Sequence, residues 1–247
     1  MSSVVLLTFE SLAYRTTDTV DFFSESLKTA LELITSRDPD VVSAVTVSIV
    51  VSLWSTLFAS LAGVPAGVAV AVTEFRAKRA VVTLLNTLMA LPTVVVGLFV
   101  YSLISRQGPL GDFGLLFTPW AMVVGQTMLA IPIVANLTMS AVKGADPRIV
   151  PTALTLGAGP FESIRRLVME MRFGIMAALI AAFGRVIAEV GVAMMLGGNI
   201  RGYTRTMTTA IAMETGKGEF ALGLALGLIL MAVALVVNMA LNALQQR

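Results

Sequence analysis

Two residue types are missing from this 247-residue chain: it has no cysteine and no histidine. Their absence excludes disulfides, thiolate and imidazole metal sites, and catalysis built on a cysteine nucleophile or a histidine base. We therefore expect no catalytic set, no metal and no cofactor. Charge is scarce too: 13% of residues are charged, against the roughly 25% usual in soluble domains. Seventeen basic and fifteen acidic residues leave a net charge of +2, too little for a nucleic-acid partner. Apolar residues make up 57% of the chain and the mean hydropathy is +0.88, so the chain cannot cover itself with a polar surface. Its solvent is largely lipid, and the chain reads as an integral membrane protein.

The few charges mark where spans end. None lies between Asp40 and Glu74, Arg79 and Arg106, Asp112 and Lys143, or Glu219 and Arg247. Each gap holds the ~20 residues a helix needs to cross a hydrocarbon core of ~30 Å. The stretch from Gly174 to Leu196 is interrupted only by Arg185 and Glu189. The spacing predicts all-α architecture with five spans, roughly 43–72, 81–104, 119–141, 174–196 and 220–243. Alternation of the kind a β-barrel needs is absent. Pro65, Pro92 and Pro132 sit near mid-span, where packed neighbours can satisfy the carbonyl a proline leaves free.

Basic residues gather in alternate connections. The first carries Arg76, Lys78 and Arg79, and the third carries Lys143, Arg148, Arg165, Arg166 and Arg172, whereas the second has only Arg106. By the positive-inside rule the first and third are cytoplasmic, which puts the N-terminus outside and the C-terminus in the cytoplasm. Residues 1–40 form an outer segment and 41–247 the transmembrane domain. Within the former, Val20, Phe23, Leu27, Ala30 and Ile34 step by three or four from Asp18 to Ser36. That predicts an amphipathic helix, lying on the membrane or packed on the bundle. Residues 1–16 read as irregular.

The connection from 143 to 172 is too long for a turn. Asp146-Pro147 opens one short helix, Gly157-Ala-Gly159 breaks the chain, and Pro160 suits the first position of a second. In the second, Phe161, Ile164, Val168 and Met171 repeat at helical spacing, with Glu162 in its first turn. Two helices joined by a glycine elbow, with an apolar edge, fit a docking surface or a loop resting on headgroups.

Pro151-Thr-Ala-Leu-Thr-Leu-Gly157-Ala-Gly159 resembles the EAA loop of ABC-transporter permeases. Ala153 and Gly157 match the pattern, Pro151 and Thr152 replace its first Glu and Ala, and the later proline is absent. Leu91-Pro-Thr-Val-Val-Val-Gly97, Phe183-Gly-Arg-Val-Ile-Ala-Glu189-Val-Gly191 and Gly198-Asn-Ile-Arg-Gly-Tyr-Thr204 resemble the oxyanion branch, which serves molybdate, sulfate and tungstate, and are most similar to its tungstate permeases. The resemblance implies a type I importer fold in a prokaryotic inner membrane. It assigns Thr152, Ala153, Gly157, Phe161, Glu162 and Arg165 to coupling with a cytoplasmic ATPase. It also implies an external solute-binding protein. Arg201 and Arg205, beside Asn199 in the outer connection, either meet the anion at its entry or grip acidic side chains of that docked protein, and the second is favoured. No G-x-x-x-x-G-K-[ST] segment is present, so ATP would bind a separate subunit. Five spans make a thin wall, which favours two copies face to face.

Arg185 and Glu189 are the ionisable residues well inside a span, four apart on one helix face. Either Arg185 meets the passing anion or the pair is a clamp near a gate. The adjacent carboxylate favours the clamp. Met194 and Met195 suit packing or a hydrophobic gate better than metal ligation. The competing class, an ion-coupled transporter or channel, has only Glu189, Asn86, Asn136 and Asn238 to draw on.

Overall fold

The computed structural model describes residues 24–245, and among them it contains helices and no strand. Helix α1 covers 24–35, with Ala30 buried and Leu27 and Ile34 half-buried, so the expected face packs inward. Leu33 lies against a cluster of Val41, Ala44, Ile187, Met207, Ala210 and Leu226, which docks α1 on the bundle. Asp18, Val20 and Phe23, like residues 1–16, fall outside the described residues.

Helix α2 (Pro39–Val72) starts at a cap that the sequence writes plainly. The Asp38 carboxylate accepts the N–H groups of Asp40 and Val41 at 2.9 and 3.3 Å, and Pro39 takes the first helical position. At 1.5 Å per residue α2 runs about 51 Å, longer than a hydrocarbon core is thick. Its inner stripe is small: Ala44, Ser48, Ser52, Ser55, Ala59, Gly63 and Gly67 are buried. A Cβ on Gly63 would lie 2.8 Å from that of Val134, and one on Gly67 would strike the Ala135 carbonyl. These small residues let α5 (Pro119–Lys143) approach along most of its length.

The span expected at 81–104 is instead two twelve-residue helices, α3 (Lys78–Met89) and α4 (Thr93–Ile104), bent by 96°. Pro92 is the cause: it lacks an N–H, its φ is fixed, and it forces Leu91 out of the helix. Pro65 and Pro132, by contrast, remain inside continuous helices.

Helices α6 (Ile149–Thr155) and α7 (Pro160–Glu170) form the expected pair, and α8 (Arg172–Ile187) leaves α7 at 63°. The span expected at 174–196 also breaks, between α8 and the seven-residue α9 (Gly191–Gly197). Helix α10 (Met207–Lys217), capped by Thr206, lies within what reads as an outer connection, and α11 (Phe220–Gln245) closes the bundle. Three helices are long and apolar enough to cross a membrane unbroken, and the bent pairs bring the number to as many as five.

The ends of the bundle are consistent with the charge pattern. Val68 of α2, Val142 of α5 and Leu167 of α7 share a cluster at one end, beside the first and third connections. Asp40 of α2 meets Arg201 at the other.

Candidate functional site

The elbow between α6 and α7 is a Schellman turn. Gly157 has φ 88°, and the N–H groups of Gly157 and Ala158 reach the carbonyls of Leu154 and Ala153 at 3.0 Å each. Ala153 turns inward and is buried, as is Ser163, whose hydroxyl donates to the Gly159 carbonyl at 2.9 Å. Thr152 is exposed. Leu167, Ile164 and Val150 anchor the pair on α2 and α5. Outward, Leu156 and Phe161 are 83% and 82% exposed and Leu154 is 48% exposed. These large apolar side chains make an exposed knob at the turn tip, beyond the bundle end. Glu162 is held by Arg165 at 3.4 Å and Arg166 at 3.6 Å along the same helix.

At the second candidate site, Arg185 Nη1 donates to Glu189 Oε2 at 2.8 Å, so the expected pair forms. The structure adds a role that residue spacing did not reveal. Glu189 Oε1 accepts the N–H groups of Gly191 and Val192 at 2.9 and 3.3 Å, while the Glu189 carbonyl accepts the Thr208 hydroxyl at 2.8 Å. The buried carboxylate thus stitches the last turn of α8 to the first turn of α9, and its backbone ties α10 to both. Gly191 must be glycine here, because a Cβ would lie 2.8 Å from Thr93 Oγ1 of α4. With three donors on its carboxylate, Glu189 is a clamp. Arg185, by contrast, keeps 46% of its side chain exposed. Met195 packs against Gly97 of α4, whereas Met194 is 37% exposed.

The loops at the Asp40 end of the bundle correct one expectation. Arg201 forks onto Asp40, with Nε 2.5 Å from Oδ1 and Nη2 bonded to Oδ2, yet keeps 70% of its side chain exposed. The carboxylate beside it raises the Arg201 guanidinium above its ordinary pKa. Arg205 is not a free outer cation: its side chain is 11% exposed and bonds Glu214 at 3.2 Å, with Lys217 on the same carboxylate at 3.2 Å. Glu214 belongs to α10, so the pairing was hidden while that stretch read as a connection. Asn199 takes φ 52° and turns its amide onto Met213 Sδ at 2.8 Å. The arginine that sequence reasoning passed over is Arg106, exposed and without an acidic partner among the described residues. It lines a cavity of about 540 Å³ with Tyr101, Ser105, Gln107 and Phe117. Phe117 N–H bonds the Leu196 carbonyl at 2.9 Å, which ties the connection between α4 and α5 to α9. Phe113, Ile200 and Tyr203 are exposed.

At the start of α3, Lys78 binds Glu74 at 2.6 Å and holds that carboxyl below its usual pKa. No cluster of acidic residues that could hold a metal occurs among the described residues.

Comparisons with known proteins agree with this geometry. The tungstate uptake system permease of Peptoclostridium acidaminophilum is 37% identical over 92% of this chain and all of its own length. That of Campylobacter jejuni is 40% identical over 92% of this chain and 95% of its own. Among solved structures, the MetNI methionine ABC transporter in an inward-facing conformation superposes with a TM-score of 0.68 at 19% identity, over 82% of this chain and 93% of the other. Residues 63–247 match the family described as the inner membrane component of binding-protein-dependent transport systems, and the chain belongs to that family.

Proposed function

We propose that this chain is the membrane-spanning subunit of an ATP-driven importer for a tetrahedral oxyanion, with tungstate as its first substrate. The observation that carries the reading is the α6–α7 elbow, which holds Leu156 and Phe161 in the open at the basic end of the bundle. A lone permease would gain nothing from that knob, whereas a cytoplasmic ATPase would bury it. Thr152, Gly157, Glu162 and Arg165 frame the contact, and Ala153 seats it. The substrate follows from the two tungstate permeases that resemble this chain over nearly its whole length. Arg185, Glu189, Met194 and Met195 belong to the gate, Glu189 as its clamp.

The outer surface receives a solute-binding protein. Arg201 and Arg106 present the cations for it, with Asn199 shaping the loop and Arg205 supporting it from beneath through Glu214. A second copy completes the conduit, and each N-terminus lies outside. The test is reconstitution in liposomes with the ATPase and the binding protein. ATP-dependent tungstate uptake is expected, and a charged residue at Phe161 should abolish ATPase co-purification and uptake while leaving insertion intact. Uptake without any ATPase would overturn the reading.

A further inference from the structure

Helix α3 poses a problem of solvation that the gate and the knob do not address. It leans on α5, and none of its twelve residues is buried. At 3.6 residues per turn, Arg79, Thr83, Asn86 and Thr87 fall within an arc of about 100°. Val81, Leu84, Leu85 and Leu88 occupy the rest of the circumference. All four polar positions are exposed. Asn86 is no interfacial residue: its Oδ1 accepts from Asn136 Nδ2 at 2.6 Å, and Asn136 lies seven residues above Lys143, about 10 Å along α5. The exposed Asn86 amide at that depth is not stable against hydrocarbon, where each unsatisfied polar group costs several kcal/mol, and half-buried Asn136 spends its own amide donors on Asn86 and Met89 Sδ. Polar residues inside spans face a protein interior or a wet passage.

The arc also has a chemical sense. Arg79 has no acidic partner among the described residues, and the Asn86 Nδ2 group has no acceptor among them. Thr83 supplies a hydroxyl, the Thr87 hydroxyl already donates to the Thr83 carbonyl at 2.8 Å, and no carboxylate stands in the arc. A tetrahedral dianion is acceptor-only, so it needs N–H and O–H donors along its way. Arg185 stands less well suited, with Glu189 beside it.

We propose that the polar arc of α3, Arg79, Thr83, Asn86 and Thr87, lines the inner half of the conduit and passes the oxyanion to the cytoplasm through the donors of Arg79, Thr83 and Asn86, with Asn136 holding Asn86 in place. The inference rests on the importer reading above. Arg79 ends the ladder at the mouth, where it shares a cavity of about 700 Å³ with Arg76, Lys143 and Glu74, the last paired with Lys78.

The cysteine-free chain permits a direct test. Single cysteines at Thr83, Asn86, Thr87 and Leu84 are exposed to a membrane-impermeant methanethiosulfonate from the cytoplasmic side of inside-out vesicles holding the full complex. Leu84 is 56% exposed in the single chain, so only its surroundings distinguish it from the polar positions. Positions 83, 86 and 87 should react at least tenfold faster than 84, and millimolar tungstate should slow them. In uptake assays Asn86→Leu and Thr83→Val should lose at least fivefold, and Leu84→Val should match the parent. Uniform labelling, silence at 83, 86 and 87, or full uptake by Asn86→Leu and Thr83→Val would overturn the assignment in a parent that transports. A parent that imports no oxyanion would overturn the importer reading, and with it the cargo named here.

Discussion

Replacing Glu189 tests how the broken span between α8 and α9 is held. Glu189→Ala removes two acceptor oxygens and the three hydrogen bonds they take, leaving Arg185 unpaired and the N–H groups of Gly191 and Val192 without their partner. Breaking one side of a buried ion pair costs about 3–5 kcal/mol. Because nearly half of the Arg185 side chain reaches solvent, the lower end applies, and we expect about 3 kcal/mol for Glu189→Ala. Arg185→Ala leaves the buried carboxylate with its two backbone donors but without its counter-charge, and should cost about 2 kcal/mol. Glu189→Gln keeps an acceptor for those donors and removes the buried charge, and should cost about 1–2 kcal/mol. The informative variant is Arg185→Ala combined with Glu189→Ala. If the pair were only an ion pair, removing both charges would restore most of the loss. Here the double variant should stay within about 1 kcal/mol of Glu189→Ala, because the orphaned N–H groups remain. Thermal unfolding of the purified complex reads the order at roughly 2–4 °C per kcal/mol for a chain of this size. A double variant as stable as the parent would refute the capping role.

Four further outcomes follow from the geometry. Gly157→Ala meets no neighbour within 4 Å but must adopt φ 88°, so it should cost about 1 kcal/mol and weaken ATPase co-purification less than Phe161→Glu does. Gly67→Val drives a side chain into the α5 backbone and should prevent assembly, seen as loss of a monodisperse peak in size-exclusion chromatography. Arg205→Ala strands the buried Glu214 with only Lys217 and should lower the unfolding temperature. Arg106→Ala should leave that temperature unchanged and weaken binding-protein docking, measured by surface plasmon resonance, with a shallower salt dependence than the parent.

The sequence displayed the spans because charge is so rare that each cluster marks a membrane face, and the ends of α2, α5 and α11 fall within a few residues of those clusters. The elbow was equally open to reading, since Gly157 and Pro160 have few other uses at that spacing. Pro92 was visible, but whether a proline kinks a helix or ends it depends on neighbours. Pro132 stays within a helix packed along α2, while Pro92 sits where α4 turns away to meet α9. Glu189 looked like half of an ion pair because helical spacing shows side-chain partners and conceals backbone donors. Gly191, two residues on, was the trace of that second role. Arg205 was misjudged because its partner stands nine residues away on α10, a helix too short and too polar to stand out between two spans.

The 96° bend between α3 and α4 has a consequence for how the chain is made. Each arm is twelve residues, about 18 Å of helix, so neither alone could come to rest across a bilayer as it leaves the ribosome. At the start of α4 the Val95 and Val96 N–H groups turn back onto the Pro92 carbonyl, while those of Thr93 and Val94 have no preceding helical turn to bond. Both arms lean on α5, which is completed 39 residues after Ile104. At about 5–20 residues per second that delay is roughly 2–8 s. Throughout it the two short arms stay with the insertion machinery, and α5, arriving third, fixes the pair that precedes it.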